Sequence, residues 1–113
     1  MIYFAKKTLN WFIKLFSNKQ TYKSVRVEEL PNILSSKTIY VVGEGEHVWF
    51  VAMTCPCGCE ETLYMNTQKE SRPSWDFMVD YNSNLISLYP SVWRKVGCKS
   101  HFFLREGSII WCD

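Results

Sequence analysis

Three of the five cysteines in this 113-residue chain lie within five residues of one another, and this segment constrains the fold more than any other. It reads Cys55-Pro-Cys-Gly-Cys59, and the other two cysteines are Cys98 and Cys112. An odd number of cysteines argues against a closed disulfide framework, and cysteines so close in sequence are poorly placed to bridge each other. We therefore expect a reduced, cytoplasmic protein in which the segment binds a metal or takes part in catalysis.

A second pair of candidate ligands, Cys98 and His101, precedes a β-rich run near the end of the chain. Zinc favours four-coordinate sites of thiolate and imidazole. The sequence thus predicts one structural zinc ion, with more candidate ligands than positions: Cys55, Cys57, Cys59, Cys98 and His101.

Several choices of four ligands remain open. Cys98 and His101 have no local competitors, and any two of the first three cysteines complete the site. Three thiolates with His101 would instead leave out Cys98. A spare thiol beside zinc would either support the site or act as a nucleophile with a lowered pKa. We expect Cys112 to be an ordinary strand cysteine.

The N-terminal part of the chain differs from the rest in charge and periodicity. Residues 1–26 contain lysine and arginine but no acidic residue. Apolar positions at helical spacing predict a basic amphipathic helix over residues 1–18. The helix is too short and too charged to span a bilayer. It is expected to pack on the protein's own core or on a second copy, or to attach the chain to a partner or a membrane surface.

Beyond this helix, short runs of β-branched and aromatic residues alternate with turn signals. Residues 38–42 and 47–52 flank a Gly-Glu-Gly-Glu turn, and residues 101–104 and 109–111 form a last predicted hairpin. The pattern predicts a mostly β fold: a small antiparallel sheet or partly open barrel, stapled by the zinc site and α+β overall once the helix is counted. We divide the chain into the basic helix (1–19) and a zinc-binding β domain (20–113).

Aromatic and basic residues stand together at Trp93, Arg94 and Lys95, a pattern typical of surfaces that bind nucleic acid or another partner. The patch is small and the chain beyond residue 26 is rich in acidic residues, so a packing role for Trp93 is favoured over nucleic-acid binding. The three residues are kept as candidates for binding a partner. No grouping of serine, histidine and aspartate is identifiable. Glu60 or Glu61 would serve as a general base only if the zinc site kept an open position for water.

Five segments together resemble a family of short bacterial proteins of unknown function, over roughly residues 37–113. The segments are Cys55-Pro-Cys-Gly-Cys-Glu60, Arg72-Pro-Ser-Trp75, Leu88-Tyr-Pro-Ser-Val-Trp-Arg94, Gly97-Cys-Lys-Ser-His-Phe-Phe103 and Gly107-Ser-Ile-Ile-Trp111. Such proteins are encoded beside bacterial ubiquitin-like conjugation genes, in clusters thought to serve antiphage defence.

The resemblance implies a zinc-binding accessory or adaptor protein of that pathway, with a ligase-like role as one form of it. Its implied partners are an activating or conjugating enzyme and the ubiquitin-like protein. Two alternatives come from the residues themselves: an acyl-transfer component that uses a spare thiol, and a small nucleic-acid-binding zinc module. A non-catalytic role is the first expectation. The protein is expected in the cytoplasm, either free or attached to the membrane surface through residues 1–18. The sequence gives no oligomeric state.

Overall fold

Eight strands make up the regular structure of residues 21–112, the part of the chain that the computed structural model describes. They are β1 (Lys23–Val27), β2 (Thr38–Glu44), β3 (His47–Thr54), β4 (Thr62–Asn66), β5 (Asp76–Asp80), β6 (Leu85–Trp93), β7 (His101–Arg105) and β8 (Ser108–Trp111). The mostly β fold expected from the sequence is confirmed. The predicted helix over residues 1–18, and with it the proposed domain boundary, lies outside the described residues.

The eight strands form one open sheet in the order β4-β3-β2-β1-β6-β7-β8, with β5 paired to β6. Every pairing is antiparallel except that of β1 with β2, which is parallel and therefore departs from the expected antiparallel sheet. Parallel neighbours need a connection of about a dozen residues rather than a tight turn. The irregular segment 28–37 supplies that connection.

The core lies between the two halves of this sheet. Strands β1 and β6 pair at a single position, Lys23 with Leu85, which leaves the sheet free to bend there. The two halves of the sheet share one apolar interior. Alternate side chains of β2, β3 and β4 meet those of β6 and β7, as period-two patterning requires. The fully buried members include Ile39, Val51, Met53, Met65, Ile86, Leu88, Phe102 and Leu104.

A bulge interrupts the pairing of β6 with β7. Leu88 pairs with Leu104 and Val92 with Phe102, so residues 89–91 stand opposite a single residue of β7. Pro90 lies in this bulge, where its lack of an N–H group costs the sheet no hydrogen bond. The bulge shifts the side chains that follow it, and it places Ser91 on the outer face of the sheet.

Among residues 21–112, no helix has the length and apolar character needed to cross a membrane.

Candidate metal centre and serine–histidine pair

Four cysteines from two loops converge at one end of the sheet. Cys55, Cys57 and Cys59 lie on the loop that follows β3, and Cys98 lies on the loop between β6 and β7. Their sulfur atoms are all within 4.8 Å of one another. We call these four residues the four-cysteine cluster.

The first loop folds tightly because its residue types allow it. The backbone N–H of Cys55 donates to the carbonyl of Glu61 (2.8 Å), which closes the loop at its base. Gly58 has a φ of 97°, a left-handed conformation that glycine adopts without steric cost. The three thiols can therefore point to one side of a short loop.

The sulfur spacing fits a tetrahedral metal ion. Four thiolates around zinc at about 2.3 Å are about 3.8 Å apart. The Sγ atom of Cys55 lies 3.5 Å from that of Cys57 and 3.6 Å from that of Cys98. The cluster thus has the donors and the dimensions of a metal site with four sulfur ligands.

The thiols of the cluster differ in their readiness to ionise. The Ser100 hydroxyl, 3.0 Å from the sulfur of Cys98, is the main cause that lowers the pKa of Cys98 to about 6. Burial raises the pKa of Cys55 to about 11, since the low-dielectric interior disfavours its thiolate. A metal ion must therefore displace the proton of Cys55 when it binds, so binding is coupled to proton release.

Arg94 packs against the cluster from the side of the β6–β7 loop. Its Nη1 atom donates to the sulfurs of Cys59 (3.4 Å) and Cys98 (3.2 Å). Its Nη2 atom lies 3.4 Å from a carboxylate oxygen of Glu61. Only 14% of the Arg94 side chain is exposed. The structure thus places this member of the expected partner-binding trio beside the cluster, where its positive charge stabilises any thiolate that forms on Cys59 or Cys98.

Removing the Arg94 guanidinium should weaken metal binding. Groups that hydrogen-bond to metal ligands typically contribute 10- to 100-fold to affinity, so we expect Arg94→Met to raise the metal dissociation constant by about 10- to 100-fold. Chelator competition measures the change. Lys95→Met is the matched control, because its ammonium lies over the Trp93 ring at 4.4 Å instead. Equal affinity in the two variants would contradict the role given to Arg94.

His101, the remaining candidate ligand, has a different partner. It is the first residue of β7, and its Nε2 atom lies 3.0 Å from the Oγ atom of Ser91. Its ring stacks on that of Trp93, with centroids 4.8 Å apart and an interplanar angle of 15°. The structure therefore brings the four cysteines together and places His101 with Ser91. We call Ser91 and His101 the serine–histidine pair.

Backbone contacts fix both members of the pair. The indole N–H of Trp75 donates to the carbonyl of Ser91 (3.1 Å). The carbonyl of His101 accepts the N–H of Cys112 (2.8 Å). Among residues 21–112, no Asp or Glu forms an ion pair with His101. The stacked Trp93 ring and the strand backbone therefore orient the imidazole.

A serine hydroxyl within hydrogen-bond distance of an imidazole nitrogen is the arrangement of an activated nucleophile and its general base. Sequence reasoning missed Ser91 in this role. Ser91 lies in the Leu88–Arg94 segment of the family resemblance, but the sequence spacing of ten between Ser91 and His101 matches no local motif. The pairing arises only when β6 and β7 lie side by side.

One family model matches residues 26–112, a stretch that contains the four-cysteine cluster and the serine–histidine pair. Its description is Bacterial ubiquitination-like system serine protease (BubE). No curated protein and no solved structure gives a significant match to the chain.

Proposed function

The chain belongs to the BubE family and is thus a component of a bacterial ubiquitination-like system; from this premise we propose that it is a serine peptidase. The observation that carries the proposal is the 3.0 Å separation between Ser91 Oγ and His101 Nε2. The word protease in the family description agrees with that geometry. Ser91 would be the nucleophile and His101 the general base.

In the proposed reaction, Ser91 Oγ attacks the carbonyl carbon of a peptide bond while His101 Nε2 accepts the hydroxyl proton. The tetrahedral intermediate collapses when the imidazolium returns that proton to the leaving amine. An acyl ester on Ser91 remains. Water then attacks the ester, again with His101 as the base, and the carboxylate product leaves with Ser91 restored.

Zinc is the metal we propose for the four-cysteine cluster, because four thiolates in tetrahedral spacing are a donor set typical of structural zinc. Bound there, the ion would supply a rigid link between the two cysteine-bearing loops. The second of these loops leads directly into His101, so the link would steady the base without taking part in the chemistry.

This ligand set changes two expectations from the sequence. With four cysteines in the cluster, its thiols are all used, so the geometry gives no support to acyl transfer by a spare thiol. Arg94 is engaged with the cluster, which weakens the case for a basic nucleic-acid patch.

A non-catalytic adaptor remains the alternative, since Trp93 is 57% exposed and could contact a partner. We also propose that the protein serves in antiphage defence.

Covalent labelling separates a peptidase from an adaptor. A fluorophosphonate probe reacts with a serine only when a neighbouring base activates it. We expect intact-mass and peptide analysis to find one adduct, on Ser91, and to find it lost in His101→Gln. His47→Gln is the matched control, because His47 is the other histidine of the chain and is exposed at the start of β3. An unlabelled, folded wild-type protein would favour the adaptor.

A further inference from the structure

An open cleft of about 600 Å³ lies beside the serine–histidine pair on the outer face of β6 and β7. Pro90, the residue before Ser91, lines it on β6, and Phe103 lines it on β7. Phe103 and Arg105 share a face of β7 with His101, because alternate residues of a strand point the same way. The intervening Phe102 and Leu104 are fully buried. The cleft thus continues from the reacting atoms along the same face of the sheet.

Arg105 lines this cleft, and contacts with two rings and two backbone carbonyls hold its side chain in place. Its guanidinium lies over the rings of Tyr89 (4.4 Å) and Phe103 (4.6 Å). Its Nη1 atom donates to the carbonyls of Leu88 (2.8 Å) and Leu104 (3.3 Å). A guanidinium carries five N–H donors, and those on Nε and Nη2 have no hydrogen-bond partner among residues 21–112. That edge is a preorganised fork of the kind that binds a carboxylate through two hydrogen bonds.

The other charges of the cleft leave it cationic. Arg72 is exposed and forms no ion pair with a described residue. Lys69 is already paired, with its Nζ atom 3.3 Å from a carboxylate oxygen of Asp76. Both arginines of the cleft therefore remain for an anionic ligand.

We propose that this cleft binds a carboxylate of the substrate peptide. The inference rests on the proposed peptidase function. A strand rises about 3.3 Å per residue, so Phe103 and Arg105 lie about 7 and 13 Å from His101 along β7. An extended peptide would place its carboxylate two to four residues from the bond that Ser91 attacks. The carboxylate is either the side chain of Asp or Glu or the free C-terminus of the peptide.

Binding to the Ser91→Ala protein tests this site without any need for hydrolysis. The probes are acetyl-Ala-Ala-Glu-Ala-amide and its Gln counterpart, and acetyl-tetra-alanine as free acid and as amide. NMR follows the arginine Nε–Hε signals of Arg72 and Arg105, with Arg26 as the control. Arg26 is exposed on β1 and donates to the carbonyl of Gly45 (2.6 Å), away from the cleft.

We expect at least one acid probe to shift the Arg72 and Arg105 signals and to bind about tenfold or more tightly than its amide partner. A preference for the Glu peptide would identify a side-chain carboxylate, and a preference for the free acid a C-terminal one. Arg105→Lys keeps the positive charge but loses the paired donors of the guanidinium. Arg72→Gln removes the charge of an exposed residue. Each variant should reduce the acid-to-amide ratio at least threefold.

Equal binding of acid and amide probes would overturn the carboxylate site, and so would shifts of Arg26 as large as those of the cleft arginines. Failure of both acid probes to shift either cleft signal would also overturn it. These results are independent of fluorophosphonate labelling. A labelled Ser91 without carboxylate preference would reject this inference alone, whereas carboxylate binding without labelling would reject the peptidase function alone.

Discussion

Replacing Ser91 with alanine is expected to lower peptide hydrolysis by about 10³-fold or more, because it removes the atom that attacks the carbonyl. His101→Gln should cause a loss of similar size, since the two residues act as one unit and the effects of such residues are not additive. The measurement is kcat/KM on a peptide substrate selected from a peptide library, with cleavage followed by mass spectrometry.

Matched variants separate chemistry from folding in this experiment. Ser108→Ala removes a hydroxyl from an exposed residue of β8, and His47→Ala removes the imidazole outside the pair. Both should retain the wild-type rate. Ser91→Ala should keep the metal content and thermal unfolding midpoint of the wild type, because the Ser91 carbonyl still accepts the Trp75 hydrogen bond. Undiminished hydrolysis by Ser91→Ala would refute the assignment of the nucleophile.

Removing the metal should have the second large effect, this time on stability. Structural zinc sites can contribute about 10 kcal/mol or more to folding, which is comparable to the whole stability of a typical domain, about 5–15 kcal/mol. We expect one zinc ion per chain by native mass spectrometry. Chelation, or replacement of the buried Cys55 by serine, should then lower the unfolding midpoint by tens of degrees or unfold the protein.

Cys112 provides the control, because it lies outside the four-cysteine cluster. Cys112→Ser should leave the metal content and unfolding midpoint unchanged. In the native protein an alkylating reagent should modify Cys112 faster than the other four thiols. Acidification should weaken the metal-dependent part of the stability, since protons compete with the metal for thiolates. A metal-free protein with an unchanged midpoint would show that the cluster is not a structural metal site.

Local pattern was enough to predict most of the strands and the three-cysteine segment Cys55–Cys59 of the cluster. Gly45 and Glu46 of the predicted turn separate β2 from β3, whereas Gly43 and Glu44 belong to β2. Residues 101–104 and 109–111 lie on β7 and β8. These features depend on neighbours in sequence: period-two alternation, turn residues and three thiols within one loop. The parallel pairing of β1 with β2 was missed, because strand direction depends on how the connecting segment 28–37 crosses the sheet.

Choice among the candidate site residues needed the tertiary structure. The sequence determined that this chain would be mostly β and would gather thiols suited to a metal. It left His101 as a ligand candidate and gave Ser91 no catalytic partner, because spacing along the chain does not fix cross-strand register. The bulge of β6 against β7 set that register: Trp93 pairs with His101, and Ser91, two residues earlier on β6, lies within hydrogen-bond distance of the imidazole. The loop between the two strands carried Cys98 and Arg94 to the other cysteines.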